Sequence, residues 1–575
     1  MPPFIPPITP AEFFHILQRC IPPTGWTSRI VVANSGGPDS TALLFLLGTL
    51  VRQQKALRSL RDDPALLGEC QFPQTVCSAH VNHSLQDAAT VMEETATWTA
   101  RQLQSPHVTE KIPWGKYPYP PIRDVDEKVA REARYSMLFQ AMQHFSAKII
   151  AFAHHADDQV ETAVMRKTQG SGIRGLAAMR PVRRWGMGHR ENDYYAFGSE
   201  GMRSWIVRPF LQVSKDRLLA TCEAYKLNYV NDPTNFQPGL TFRNGVRRIL
   251  SDKDSAQQQK HDHSQSSLNS ANFEPYIEQL RAMVPDVRPA DQLREAVRLY
   301  GVRLEEVDTQ VTNAIARARI KSPPSTLLLR GPMLEETTDD EIRIALIRRC
   351  MRFVSHGPWG AVWSELGGNH SSLRRIANEL WPSNPMPLSS LLVDPETGVR
   401  EDPRRAFTAG AGVNAYPVTV NVRQGTITYR GCRVGVKHEE PGWIFARAPP
   451  HKKSPSLNME AHAILDVTEE LLAARREGKS VYTALYDYRF AVRFDLTRPW
   501  PEYIESRLSS RRARITIEPD TKWVLPQIVV SGEKTRTTCV GKFLWSIPGW
   551  QGGCRKPVTH QSRISMQFVR SLDAI

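Results

Sequence analysis

Three features of the chain predict an α/β fold built on a parallel sheet. Short β-branched runs alternate with longer helical stretches over residues 27–250. A glycine-rich turn, Ser35-Gly36-Gly37-Pro38-Asp39-Ser40, directly follows one of those runs, and an acid-rich segment, 154–162, directly follows another. A helical domain over 273–400 and a mixed, mainly β domain over 401–575 are expected to complete the architecture.

Taken in order, residues 1–26 read as an N-terminal extension with a short helix. Prolines at 2, 3, 6, 7 and 10 precede a stretch carrying Glu12 and Arg19, unlike the Arg-rich, acid-poor pattern of an organellar presequence. Residues 30–33, 75–80, 149–153 and 205–207 read as buried strands, and 40–50, 127–144 and 156–168 as helices by length and apolar spacing. Residues 251–272, rich in Ser, Gln, Asp, His and Lys, hold too little apolar surface to order themselves and read as a disordered linker. Helical periodicity returns over 273–319 and 340–354, broken by the Ser-Pro-Pro-Ser stretch near 322. Beyond 403 the runs 418–422, 426–429, 490–496, 513–517 and 528–530 alternate as strands do. Residues 437–458, with Arg447, Lys452 and Lys453, read as an exposed loop.

At 575 residues, 41% hydrophobic and 23% charged, the chain has the composition of a soluble globular protein with several cores. Its longest apolar run, 42–51, is far short of the roughly 18 residues of a bilayer span, so no membrane role is expected. Eight cysteines form no CxxC pair, which argues against a zinc site or a disulfide framework and fits a reducing compartment. The formal charge of +15 suits a polyanionic partner without establishing one.

The glycine-rich turn is suited to a pyrophosphate. Gly36 and Gly37 let backbone approach an anion, the N–H groups of the turn and helix start point at it, and the Ser35 and Ser40 hydroxyls add donors. No Lys follows the glycines, so this is not the loop that holds a terminal phosphate for transfer. Asp39 would repel bare phosphate, which makes it the candidate Mg²⁺ ligand; the plain alternative is an ordinary helix N-cap. In 154–162, Asp158 and Glu161 share a helix face, and Asp157 with Glu161 is a comparable pair. Such acids could hold Mg²⁺, take an ammonium group, or simply complement the helix dipole. His154 and His155 suit nucleotide contact or packing better than zinc.

The turn, with 79–85, 130–135, 154–162, 170–176, 208–211, 232–235 and 243–247 in this order, resembles the N-terminal domain of the tRNA(Ile)-lysidine synthetase family, PP-loop enzymes of the N-type ATP pyrophosphatases. Two weaker echoes, 485–490 and 544–549, are similar to its C-terminal domain. The resemblance implies an adenine nucleotide alpha hydrolase-like fold and a reaction. ATP activates C2 of the wobble cytidine in the CAU anticodon of an isoleucine tRNA, and the ε-amine of L-lysine displaces AMP. It further implies ATP contacts at Ser35, Gly36, Gly37, Pro38, Asp39, Ser40, His154 and Arg134, and lysine contacts at Asp157, Asp158 and Glu161, of which Asp158 and Glu161 join Asp39 as catalytic. Arg243, Asn244 and Arg247 are the implied tRNA contacts, although an Asp232 pairing with Arg243 or Arg247 would equally explain them. A homodimer is compatible with this reading; the compartment it implies is the mitochondrial matrix in a eukaryote and the cytoplasm otherwise. Ser84 stands where the family often has Gly, and Asn34 where an apolar or small residue is common. A PP-loop tRNA thiolase, a small-molecule amide ligase and a catalytically inactive tRNA-binding scaffold are the competing readings.

Overall fold

The computed structural model describes residues 4–59, 72–85, 88–189, 192–230, 274–284, 289–360, 370–382, 399–400, 404–423, 426–428, 432–433, 439–450, 463–500, 502–509, 513–520, 523–532, 535–544 and 563–575. In the first domain the chain runs α1 (Pro10–Gln18), β1 (Arg29–Ala33), α2 (Pro38–Ser59), β2 (Thr75–Asn82), α3 (Ala89–Gln102), β3 (His107–Lys111), α4 (Glu127–His144) and β4 (Ile149–Ala151). It continues with α5 (Ala156–Thr168), α6 (Ile173–Leu176), β5 (Val182–Arg184), α7 (Gly198–Met202), β6 (Trp205–Val207) and α8 (Lys215–Ala224).

The six strands form one sheet in the order β3-β2-β1-β4-β6-β5. All neighbours are parallel except β5, which runs against β6. The apolar strands are buried on both faces, as a sheet covered by helices requires. Ile30, Val32, Ile149, Ala151, Trp205 and Val207 pack on one side with α1, α2 and α8, and Val31, Ile150 and Ile206 on the other with α4. The N-terminal extension belongs to this core: Ile8, Phe13 and Leu17 are buried in it, and Thr9 caps α1 by accepting from the Glu12 N–H. Because β2 and β3 lie on one side of β1 and β4 on the other, the strand order reverses between β1 and β4. That is where open α/β sheets bind ligands, outside the carboxyl ends of the strands.

The second unit rests on α5. Val160, Ala163 and Val164 share a core with Ile277 and Leu280 of the helix Glu274–Arg281 and with Leu293, Ala296 and Val297 of the helix Pro289–Ala318. The boundary expected at residue 400 does not separate two cores. Strand Leu327–Arg330 pairs with strand Glu439–Arg447, and the helices Pro289–Ala318, Asp340–Val354 and His370–Leu380 pack on that sheet. A four-stranded and a three-stranded antiparallel sheet lie beyond it, sharing one core that includes Phe490, Val492, Ile515, Ile517 and Ile528. The last strand, Ile564–Phe568, pairs with Phe490–Asp495, and Asp573 then reaches Arg184 at 2.9 Å. Among the described residues no helix is long and apolar enough to cross a membrane. The expected linker 251–272 lies outside the described residues. The exposed loop expected over 437–458 is corrected: Glu439–Arg447 is a strand whose last six residues are buried, Arg447 included, because it pairs with strands on both sides, Val413–Asn421 and Leu327–Arg330. Residues 437–438 and 451–458 lie outside the described residues.

Candidate active site at the β1/β4 switch point

Both motifs meet at the reversal. The glycine-rich turn joins β1 to α2 and the acidic segment joins β4 to α5, so the positive ends of two helix dipoles face the same end of the sheet. Asn34, 2% exposed, ties the turn together. Its Oδ1 accepts from the Gly36 N–H at 3.0 Å and the Ser40 hydroxyl at 3.2 Å, while its Nδ2 donates to Ser78 Oγ and the Ala96 carbonyl, each at 3.2 Å. The Ser35 N–H donates to Ser40 Oγ at 3.1 Å and the Gly37 N–H to Ser35 Oγ at 3.4 Å. The unusual Asn34 is thus the buried brace of the turn. Ser84, in place of the common Gly, sits at φ 51° in the left-handed region, where its N–H and hydroxyl donate to Asn82 Oδ1 at 2.8 and 3.1 Å.

Gly36 has no substitute. Its φ is +80°, and a Cβ would stand 2.7 Å from the Met92 carbonyl oxygen of α3. Gly36→Ala is expected to destabilise the domain by about 2 kcal/mol, read as a lower denaturation midpoint. A midpoint equal to the parent's would mean that α3 yields freely at this point.

Asp39 stands in the first turn of α2, and its Oδ2 receives a hydrogen bond from Lys215 Nζ at 2.7 Å. Its Oδ1 is buried with no hydrogen-bond partner among the described residues. The His155 ring joins the acids: Nε2 lies 3.8 Å from Asp39 Oδ2 and 3.6 Å from Asp158 Oδ2, and Nδ1 lies 3.9 Å from Asp157 Oδ2. Asp158 also accepts the His155 backbone N–H at 2.9 Å, capping α5. Glu161, one turn on, is 4% exposed.

Asp157 departs from the expected role. Its Oδ1 accepts from Arg294 Nε at 2.5 Å and its Oδ2 from the Lys215 N–H at 3.3 Å. It joins α5 to the helix Pro289–Ala318 and to the start of α8, so its charge is already matched by a guanidinium. Of the three acids expected to meet the lysine, Asp157 is the one used to fasten the second unit to the first.

Beyond His154 lies a concentration of positive charge. Tyr135, 3% exposed, stacks on Phe152 at 5.6 Å and lies under the Arg131 guanidinium, 5.7 Å from its centroid. Burial pushes the Tyr135 phenol up, but Arg183, Arg208, Arg131 and Arg134 together pull it down further, to about 7. Burial, followed by the charge of Arg183, lowers Arg208 to about 10. His154, stacked on Phe152 at 5.5 Å, is lowered to about 3 by burial first and Arg208 next, so its ring is neutral near pH 7. Such a group of cations around a neutral imidazole is suited to an oxyanion.

Tyr135 offers a spectroscopic reading of that charge. The phenol is lowered in the fold, so its ionisation contributes stability above the unfolded tyrosine range, and this is lost as pH falls through about 7. A tyrosinate absorbance is expected to grow in around pH 7, to vanish in Tyr135→Phe, and to move to higher pH when a polyphosphate neutralises the arginines. A profile identical in Tyr135→Phe would refute the assignment.

Ser35, Gly36, Gly37, Pro38, Asp39, Ser40, His155, Asp158 and the start of α5 are thus assembled at the switch point, with His154 and Arg134 in the adjoining basic cluster. Arg243, Asn244 and Arg247 lie outside the described residues. Sequence reasoning missed Asn34 as a brace, Lys215 as the partner of Asp39, and Arg183 altogether, and it saw Tyr135 only as the last residue of the segment 130–135. Arg208 was visible only as part of a motif. Cys222, the cysteine facing the turn, donates to the Pro38 carbonyl at 3.4 Å, and burial raises its thiol to about 12. A thiol held so far from ionisation is a poor sulfur carrier.

Residues 14–253 match the PP-loop domain family. The tRNA(Ile)-lysidine synthase of Bacillus subtilis is 32% identical over 225 residues, covering 39% of this chain and 40% of that protein. That of Bradyrhizobium sp. is 34% identical over 236 residues, 41% of this chain and 54% of its own length, and that of Pseudomonas aeruginosa 34% over 247 residues, 42% and 45%. The match therefore spans about half the length of these relatives. Among solved structures, the U34-tRNA thiolase NcsA from Methanococcus maripaludis with its [4Fe-4S] cluster aligns at a TM-score of 0.33 and 14% identity, over 51% of this chain and 79% of that one. Over residues 14–253 the chain is thus similar to the PP-loop domain family and to the matching part of these tRNA(Ile)-lysidine synthases.

Proposed function

We propose that the chain is an ATP-dependent tRNA-modifying ligase that makes lysidine at the wobble cytidine of the CAU-anticodon isoleucine tRNA. The observation that carries the reading is the meeting of the phosphate turn, Asp39 and the acidic start of α5 beside a basic cluster. The names of the curated relatives support it.

In the first step the C2 carbonyl oxygen of the cytidine attacks the α-phosphorus of ATP, and pyrophosphate leaves. The N–H groups of the Ser35–Ser40 turn and the hydroxyls of Ser35 and Ser40 hold the pyrophosphate. Lys215, on Asp39 in the structure, is placed to balance its charge. In the second step the lysine ε-amine attacks C2, loses a proton, and AMP departs with the activated oxygen. Glu161 and Asp158 receive the ammonium group, and one of them accepts the proton. His154 and Arg134 contact the nucleotide, and Arg243, Asn244 and Arg247 the tRNA.

Asp39 fits a Mg²⁺ ion, because its Oδ1 is buried without a hydrogen-bond partner among the described residues and the ion commonly binds one or two carboxylates plus substrate phosphates. When bound, it would neutralise charge on the phosphates. Turnover of α-labelled ATP tests the reading: AMP should appear only with both L-lysine and the CAU-bearing tRNA. Equal release with a tRNA whose wobble base is uridine would contradict it.

A further inference from the structure

We infer that Tyr117 is a stacking platform for an unpaired base of an RNA loop, flanked by cations that hold its phosphates. The inference rests on the reading of the chain as an enzyme acting on tRNA and names a surface that brings the tRNA to the site.

Tyr117 is 86% exposed, an unusual state for a large ring, and it lies in the segment that leaves β3 at the carboxyl rim of the sheet. That segment is firmly built. The Gly115 N–H donates to the Pro120 carbonyl at 2.9 Å, the Lys116 N–H to the Pro113 carbonyl at 3.0 Å and the Tyr119 N–H to the Lys116 carbonyl at 2.8 Å. Trp114 Nε1 donates to the His83 carbonyl at 2.8 Å, and Tyr119 stacks on Tyr194 at 4.9 Å. The Tyr117 hydroxyl donates to the Asp193 carboxylate, so the ring is held at its far end as well. A ring oriented before binding, and open to solvent, loses little entropy when a base stacks on it.

The surroundings have the matching charge. Lys111, Lys116, Arg123, Lys128, Arg131 and Arg134 are all exposed, on this segment and the first turns of α4. The acids among them are partly occupied. Asp126 caps α4 by accepting the Val129 N–H at 2.7 Å, Asp124 lies 3.8 Å from Arg123, and Glu132 lies 3.8 Å from Lys128. Arg131 and Arg134 belong to the cluster around Tyr135 and His154, so the basic track runs from Tyr117 to the edge of the candidate active site. One open ring among lysines and arginines is the chemistry of single-stranded nucleic-acid recognition, in which aromatics stack bases and cations follow the backbone. A protein partner would be better served by a contiguous apolar patch.

The test uses the full chain and a CAU anticodon stem-loop RNA carrying 2-aminopurine in its loop. Fluorescence quenching on binding is expected with the parent and with Tyr117→Phe. Tyr117→Ala should lose the quenching and bind about tenfold more weakly, on the order of one base–aromatic stack. Its affinity for ATP should be unchanged, since the ring supports no core. Parent-like quenching and affinity in Tyr117→Ala would overturn the platform while leaving the lysidine reading intact. Failure of the parent to bind the RNA would overturn both.

Discussion

Asp39→Ala is expected to reduce AMP formation by at least about a hundredfold, the scale on which a single group stabilising reaction charge is felt, while tRNA binding stays nearly unchanged. The carboxylate stands between Lys215, 2.7 Å away, and the turn that would hold the pyrophosphate. Alanine removes the candidate Mg²⁺ ligand and leaves the Lys215 ammonium without its partner. The fold should survive, because the pair is partly solvated, with side-chain exposures of 38% for Lys215 and 23% for Asp39. Such pairs contribute about 0–1 kcal/mol. Rates of AMP release and a filter-binding titration with tRNA check the two halves of the statement. Equal loss of both would mean that Asp39 holds the tRNA surface rather than the nucleotide.

Glu161→Gln is expected to separate the two steps. The substitution keeps the shape of a side chain that is 4% exposed but removes its charge and its ability to take a proton. Use of lysine should fall by about 10²-fold or more, within the range for loss of a general base. The burst of pyrophosphate from the adenylation step should persist in a single turnover. If pyrophosphate release falls as far as lysine incorporation, Glu161 serves the nucleotide or its metal rather than the amine. Asp157, paired to Arg294 at 2.5 Å, should not reproduce this separation, since its role is to join two units.

What could be read from the sequence was local. The helices over 127–144 and 156–168 have the bounds that apolar spacing predicts, and strand Trp205–Val207 matches its three-residue run. The glycine-rich turn was equally legible as the link from a strand to a helix, because its glycines and hydroxyls lie within six consecutive residues. Strand His107–Lys111 was not, since all but its exposed last residue are half-buried and no apolar run marks it. The choice among Asp157, Asp158 and Glu161 could not be made from helical spacing. It depends on Arg294, 137 positions away, just as the role of Asp39 depends on Lys215, 176 positions away. The domain boundary at 400 failed for the same reason: strand Leu327–Arg330 finds its partner more than a hundred residues later, in Glu439–Arg447. Charge followed that rule too, because Tyr135 meets Arg183 and Arg208 only when α4, β5 and the end of β6 come together.

The most direct test of the account is transfer of labelled L-lysine to a CAU-bearing isoleucine tRNA transcript, with ATP and Mg²⁺, followed by nuclease mapping of the label. The account predicts label at the wobble nucleotide alone, one AMP released per lysine joined, and no label when that cytidine is replaced by uridine. AMP release without lysine in the tRNA, or label at any other nucleotide, would contradict it.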